Sequence, residues 1–567
     1  GAAVVGEVLL VIGAAAGGQV WLAPGKGGRS EPVTTPDGGS FQPPSLEEIL
    51  YRVSGRIRVN LASIIDGHDD DRVAVISRGR PTTYGELRRQ VAGLRRGLTD
   101  LGLTTGDSVA IMASNNRYFV VSYLATLGAG LVAVPLNPTT PALAVKEELE
   151  AVKARALIAG PSARALVTGN TEGALDSIEF VIGCGFEPDG GTQFETLIES
   201  ESADWVELDE DTPAVLAFTS GTAGLPKPAV LSHANLMVNV QQQLSSAEDR
   251  QCADDVSLAV APLSHIMGFN LVLATSLSVG ASVVLIERFD PVLALESMQK
   301  HGVTVVVGPP TMWAAWLNLP DLPSDVFSSV RIAASGAARL PVEVSEAFER
   351  RFGLRLWEGY GLTEASPMVC SSYGTDAPHG SVGFPAPGLE VRLVDREGDD
   401  VLIGDPGELL VRGPNIFSGY LNEPEATADA LDGDGWLHTG DIAVVDEHGY
   451  VFLVDRSKDL IIVSGFNVYP AEVETAIRSH PLVEDCVVVG VPHPGTGESV
   501  VAYVVPADKA MLEEEGVIRH CQTRLARYKC PKKIWFTDEV PQDLGGKVLR
   551  RMLPARPSAQ KTSWEPN

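Results

Sequence analysis

A chain of 567 residues is too long for one hydrophobic core, so two or more domains are expected. Its 44% hydrophobic and 21% charged residues make an ordinary globular balance, and a net charge of -29 argues against non-specific nucleic-acid binding, which needs basic faces. Six cysteines, Cys184, Cys252, Cys370, Cys486, Cys521 and Cys530, include no C-x-x-C pair, so neither a zinc cage nor a disulfide framework is indicated and a reducing cytoplasm fits best.

Residues 1–23 are apolar with Glu7 as their only charge. A secretory signal needs a basic start, and a membrane span needs about twenty apolar residues with few glycines. This stretch reads as a weakly ordered leader, with a membrane anchor, and hence peripheral membrane contact, as the second reading. Residues 24–44, rich in Gly, Pro and Ser, read as a linker. Leu87, Val91, Leu94, Leu98 and Leu101 recur at steps of four and three and predict a helix, and Ser108–Met112 predicts a buried strand. Further on, 303–307, 330–334 and 354–357 are apolar runs ending in Gly, Ser or Glu, the pattern of parallel strands whose carboxyl ends carry functional loops. The large domain is therefore expected to be α/β, over 45–455. Runs at 389–393, 408–411 and 450–454 between turn signals predict antiparallel strands and a small barrel-like subdomain. After Asp455, strands at 487–491 and 500–505 and a helix at 471–479 predict a small mobile α+β domain over 456–567.

Residues 218–227, FTSGTAGLPK, pack Thr219, Ser220, Gly221, Thr222, Gly224 and Lys227 into one loop. Glycines let backbone N–H groups turn toward an anion, hydroxyls add donors, and the lysine adds a positive charge. Pro226 and Pro228 flank Lys227, which excludes a Walker loop; taken alone, the stretch is either a phosphate grip or a surface turn. Six more stretches follow: APLSHIMGFN at 261–270, SGAARL at 335–340, EGYGLTE at 358–364, GWLHTGD at 435–441, DRSKDLIIVSGFNVYP at 455–470 and PQDLGGKVLRR at 541–551. By themselves, His265 reads as a core histidine, Asp441 as a turn cap and Lys547 as a solvated lysine in a tail. That tail, 516–561, holds eleven Lys or Arg against three acids, a local balance of +8 in an acidic chain.

In this order and at these separations the seven stretches resemble the adenylate-forming superfamily of acyl-CoA synthetases, luciferases and peptide-synthetase adenylation domains, over about 82–553. The resemblance implies ATP and Mg²⁺, with the loop at 219–227 gripping the β- and γ-phosphates and Thr222 and Glu364 as metal ligands. It implies nucleotide contacts at Gly336, Ala337, Ala338, Glu358, Gly359, Gly361, Thr363, Asp441 and Arg456, with Tyr360 stacked on adenine. It places His265, Gly268 and Phe269 at the acyl tunnel, with Trp313 expected to line it. Amino-acid-activating relatives carry an aspartate near His265, and this chain has none, so the substrate is a carboxylic acid without an α-amine. Lys458 falls at the hinge, Ser464, Gly465 and Phe466 on the pantetheine path, and Lys547 at the lysine that bridges the α-phosphate and the substrate carboxylate.

The expected activity is an ATP-dependent acid–thiol ligase that forms acyl-AMP and transfers the acyl group to coenzyme A. A medium or long-chain fatty acid is the favoured substrate and an aryl acid the alternative. An acyl-AMP ligase loading a carrier protein is the runner-up for the acceptor, and the spacing from Glu364 to Asp441 leaves no room for the insert such relatives carry. An inactive nucleotide-binding homologue is the non-enzyme alternative; retention of Thr222, Lys227, Glu364, Asp441, Arg456 and Lys547 counts against it. Ala223, Pro228, Leu544 and Gly545 depart from the family pattern, and none of them removes a catalytic group.

Overall fold

The computed structural model describes residues 60–553 except 170–172, 220–226, 248, 457–460, 464–465, 494–496, 508–511, 526, 542–547 and 549–552; of 455, 456, 462, 466, 467 and 497 it describes the backbone alone. It also describes the backbone of Val8–Leu9 and Ala23–Pro24, which pair antiparallel. The rest of the expected leader and linker over 1–44 lies outside the described residues. Among the described residues no helix is long and apolar enough to cross a membrane.

The chain divides into two compact units, residues 1–391 with 410–438, and residues 392–409 with 439–567. The fold is mixed α/β, with large sheets in the N-terminal part and a small β/α domain at the C-terminal end.

In the first unit the helix predicted from the leucine spacing is Tyr84–Asp100. Thr83 and Glu86 close a reciprocal capping box at its start, and Leu87, Val91, Leu94 and Leu98 are fully buried along one face. Ser108–Met112 is a strand buried at every position, central in a seven-stranded sheet. One edge of that sheet is the antiparallel hairpin of Pro213–Thr219 and Lys227–Ser232. Burial on both faces explains why Ser108–Met112 reads as a continuous apolar run.

A nine-stranded sheet carries the other strand predictions. Val256–Ala259, Val305–Gly308, Ile332–Ser335 and Trp357–Gly361 lie side by side and parallel. Their carboxyl ends therefore open on one edge, where α/β sheets place their functional loops. The observed strands start two or three residues later than the apolar runs, because the runs include the approach from the preceding helix as well as the ladder itself. Behind this sheet Trp313, Trp316, Phe327, Phe348 and Phe352 form an aromatic cluster with ring centroids 4.8–5.5 Å apart.

In the second unit Gly497–Pro506 pairs antiparallel with Val483–His493 and parallel with Lys533–Phe536. Helix Pro470–Arg478 covers this sheet through the buried Val473 and Ile477, which pack in one core with Val488, Ala502 and Val517.

Candidate functional site

The glycine-rich loop is held by its two ends. Thr219 and Lys227 are direct partners across the antiparallel ladder, and the Thr219 hydroxyl donates to the Lys227 carbonyl at 3.4 Å. Ser220, Gly221, Thr222, Ala223 and Gly224 lie outside the described residues. Pro228 pairs with Phe218 on the edge strand of the sheet, a position where a missing N–H leaves the interior ladder intact. This departure from the family pattern is thus accommodated by the sheet.

Lys227 points at a residue that motif reading does not select. Its ammonium stands 5.7 Å from the ring centroid of Tyr420, and the Tyr420 hydroxyl donates to Glu364 Oε1 at 2.7 Å. Tyr420 is brought there by the pairing of Ala229 with Tyr420 and by the Val230 N–H bond to the Gly419 carbonyl, 2.9 Å. Burial first, and then the Glu364 carboxylate, hold the Tyr420 phenol well above its usual pKa, so it stays neutral and donates. A cation, an aromatic ring and a carboxylate therefore stand in line, tying the end of the phosphate hairpin to the turn after Trp357–Gly361. Among the described residues Glu364 Oε2 accepts no hydrogen bond, and no cluster of three metal-ligating side chains exists. One free carboxylate oxygen supplemented by phosphate oxygens is a common way of holding Mg²⁺, so Glu364 fits a metal that arrives with a nucleotide.

Strand carboxyl ends supply the remaining residues of this unit. Gly336, after Ile332–Ser335, leaves space that the Met267 methyl approaches to 3.1 Å from where a Cβ would stand. Ala337 is exposed and held at φ 66, with Ala338 half-buried beside it. Gly359 and Gly361 lie in the next strand with Tyr360 buried between them, and Thr363 and Glu364 form the single 3₁₀ turn that follows.

Glu358 is 6% exposed and accepts the Gly380 N–H at 2.8 Å. Burial pushes its carboxyl from 4.5 up to about 7, opposed by the Gly380 bond and by Arg339 and Arg355. Because the folded value lies above the unfolded one, the fold binds an extra proton between pH 4.5 and 7, and stability falls as pH rises through that window. Glu358→Gln keeps an acceptor for Gly380 and is expected to remove this slope. The gain above pH 7 is on the order of 3 kcal/mol, read from urea midpoints across the pH range; an unchanged slope contradicts it.

The stretch around His265 opens the π-helix Met267–Ala274. His265 is exposed, and its Nδ1 accepts the Met267 N–H at 3.3 Å. A Cβ at Gly268 would collide with the Pro262 carbonyl, so Gly268 seats the helix against the preceding turn. Phe269 is fully buried, 5.4 Å from Tyr123 between ring centroids. Trp313, expected along the acyl tunnel, is fully buried in the aromatic cluster, and its indole N–H donates to the Ala334 carbonyl at 3.3 Å.

In the second unit Asp441 sits 7% exposed in Leu437–Val445 and is paired in register with Arg456 of Val451–Arg456. Thr439 orients it: the Thr439 hydroxyl accepts the Asp441 N–H at 3.1 Å and donates to the Leu409 carbonyl at 2.6 Å. Lys458, Ser464, Gly465, Leu544, Gly545 and Lys547, with the side chains of Arg456 and Phe466, lie outside the described residues.

A buried amide ladder is the main feature the motifs do not reveal. Helix His233–Ser245, capped by Ser232, presents Asn239 and Gln242 inward. Asn239 accepts the Met368 N–H at 3.2 Å and donates to the Met368 carbonyl at 3.0 Å, clamping one residue from both sides. Gln242 donates to Asn415 Oδ1 at 3.1 Å, and Asn415 donates to the Ala365 carbonyl at 2.7 Å. The turn bearing Glu364 is thus braced by side chains from two distant segments. The spacing of Asn235, Asn239 and Gln242 along one helical face is a legible signal for such a ladder; Tyr420 has none.

Comparison with known proteins shows the family. The family model described as AMP-binding enzyme matches residues 65–421, and that of the AMP-binding enzyme C-terminal domain matches 472–547. The chain is 37% identical over 479 residues to a feruloyl-CoA synthase of an Amycolatopsis species, covering 84% of this chain and 94% of that protein. It is 33% identical over 513 residues to a long-chain-fatty-acid–CoA ligase of Bacillus subtilis, covering 85% and 91%. Among solved structures, ATP-bound MatB from Rhodopseudomonas palustris superposes with a TM-score of 0.80 at 31% identity, covering 87% of this chain and 98% of that one. The chain belongs to the AMP-binding enzyme family, in the acyl-CoA synthetase branch of the adenylate-forming superfamily.

Proposed function

We propose that this protein activates a carboxylic acid with ATP, giving acyl-AMP and pyrophosphate, and then transfers the acyl group to coenzyme A with release of AMP. The observation that carries this reading is the line from Lys227 through Tyr420 to Glu364. It places a mobile cation and a metal-competent carboxylate on either side of one neutral phenol. That is the apparatus for gripping a polyphosphate that leaves as pyrophosphate. Mg²⁺, when bound, would neutralise charge on the phosphates, and Glu364 and Thr222 are the residues that would hold it.

Attack of a carboxylate on the α-phosphorus brings two anions together and needs charge neutralisation more than proton transfer. Its motif assigns that neutralisation to Lys547. Thr219, Ser220, Gly221 and Gly224 cradle the departing phosphates, Tyr360 stacks on adenine with Gly336, Ala337 and Ala338 beside it, and Asp441 and Arg456 hold the ribose. Ser464, Gly465 and Phe466 guide the pantetheine arm, and Lys458 serves as the hinge.

For the acid we favour a medium or long-chain fatty acid, on the apolar gate Ile266, Met267, Gly268 and Phe269 and on the fatty-acid–CoA ligase relative. An aryl acid is the second reading, favoured by the feruloyl-CoA synthase relative. CoA-dependent AMP release across a panel of straight-chain and aryl carboxylates tests both. Release is expected with at least one class, and release with none overturns the ligase reading.

A further inference from the structure

The π-helix Met267–Ala274, which carries the apolar gate residues Met267 and Phe269, is hydrogen-bonded to the Glu364 turn by Asn270. Asn270, fully buried in Met267–Ala274, donates from Nδ2 to the Ser366 carbonyl at 2.7 Å and to the Leu236 carbonyl at 3.2 Å. Ser366 closes the 3₁₀ turn of Thr363–Ala365 in the left-handed region, φ 69, and its N–H bonds to the Thr363 carbonyl at 3.2 Å. Both members of this contact hold a buried polar atom in reserve: among the described residues neither Asn270 Oδ1 nor Ser366 Oγ has a hydrogen-bond partner. An acceptor and a donor left unspent in one contact leave a further hydrogen bond within reach of a small shift, which is how a bistable joint is built.

The helix on which Asn270 sits is suited to shift. Its eight residues follow the π pattern, a winding that is uncommon and concentrated at functional sites. Its start is seated by Gly268 against Pro262. Its far end is tied where the Thr275 hydroxyl meets Gln243 Oε1 at 2.9 Å and the Asn270 carbonyl at 3.2 Å. At the first residue of the helix Met267 reaches Gly336, at the strand edge to which the proposed function assigns the nucleotide, and Asn270, three residues on and between the two anchors, reaches Ser366.

We propose that Asn270 is a positioning residue that couples the acyl gate to the metal-bearing turn. A shift of Met267–Ala274 on acid binding is relayed through Asn270 to Ser366, and so to Glu364 two residues earlier. Acid binding thereby completes the MgATP grip, and MgATP in turn tightens acid binding, because coupling between two sites is reciprocal. This rests on the ligase reading above.

The test begins with an acid that supports CoA-dependent AMP release, and measures the Kd of the α,β-methylene analogue of MgATP with and without it. In the unaltered protein the acid is expected to tighten the analogue by about tenfold. In Asn270→Ala, and in Asn270→Asp, which matches the size but lacks the amide donor, the ratio is expected to fall to about one while the gate and Glu364 remain. A residue that merely supported the fold would change melting temperature and both affinities and leave their ratio alone. A second measurement needs no variant: hydrogen exchange of the unaltered protein over residues 362–368 is expected to slow on addition of the acid without nucleotide. A ratio that persists in a folded variant, or exchange that acid leaves unchanged, overturns the coupling with the ligase reading intact. AMP release with no acid overturns both.

Discussion

Glu364→Ala is expected to lower acyl-AMP formation by about 100- to 1,000-fold, the usual consequence of removing one preorganised electrostatic partner from a site where charge develops. The loss is expected to appear as slower pyrophosphate release and a higher Mg²⁺ requirement, with thioester formation from supplied acyl-AMP affected far less. Tyr420→Phe separates ligation from orientation. It keeps the ring under the Lys227 ammonium and removes only the 2.7 Å hydrogen bond to Glu364, so the expected loss is about tenfold or less. If Glu364→Ala released pyrophosphate at the unaltered rate and with the unaltered Mg²⁺ dependence, Glu364 would have no part in the adenylation half-reaction.

Lys547→Ala is expected to reduce pyrophosphate release by at least about 100-fold, since its ammonium screens the two anions that must meet at phosphorus. Conversion of supplied acyl-AMP and CoA to thioester is expected to continue within a few-fold of the unaltered rate, because that step involves no such meeting. Equal loss in both half-reactions would refute a role confined to adenylation. Comparing the two variants is informative in itself. The proposed mechanism assigns Glu364 to the leaving group and Lys547 to bond formation, so both variants are expected to slow the same half-reaction and only the Glu364 variant to change the Mg²⁺ dependence.

Much of the site is legible in the chain because its chemistry is local. A loop that turns N–H groups toward an anion needs glycines at fixed offsets, and a strand that ends at a ligand needs small or charged residues directly after its apolar run. Such constraints act over a few residues and leave a readable string, as in 218–227, 335–340 and 358–364. Ser108–Met112 and Tyr84–Asp100 are legible for a related reason, since burial on one or both faces dictates a local period.

What the string does not carry is the partner of each group. Trp313 illustrates the difficulty: an aromatic residue after a strand end can line a tunnel or fill a core, and only the structure shows it packed with Trp316, Phe327 and Phe348. Tyr420 shows the reverse case, a tyrosine outside every motif that a strand pairing brings between Lys227 and Glu364.

The amino-acid sequence by itself thus determined the α/β class and the family, and nominated the groups at 218–227 and 358–364, because each of these leaves a short-range pattern in the chain. Only the tertiary structure decided which of these groups act together. The contacts of Gln242 with Asn415, of Asn415 with Ala365, of Lys227 with Tyr420, of Tyr420 with Glu364 and of Asn270 with Ser366 join residues from 50 to about 190 positions apart. Such pairings arise when packing places buried donors beside buried acceptors, and no local pattern records them.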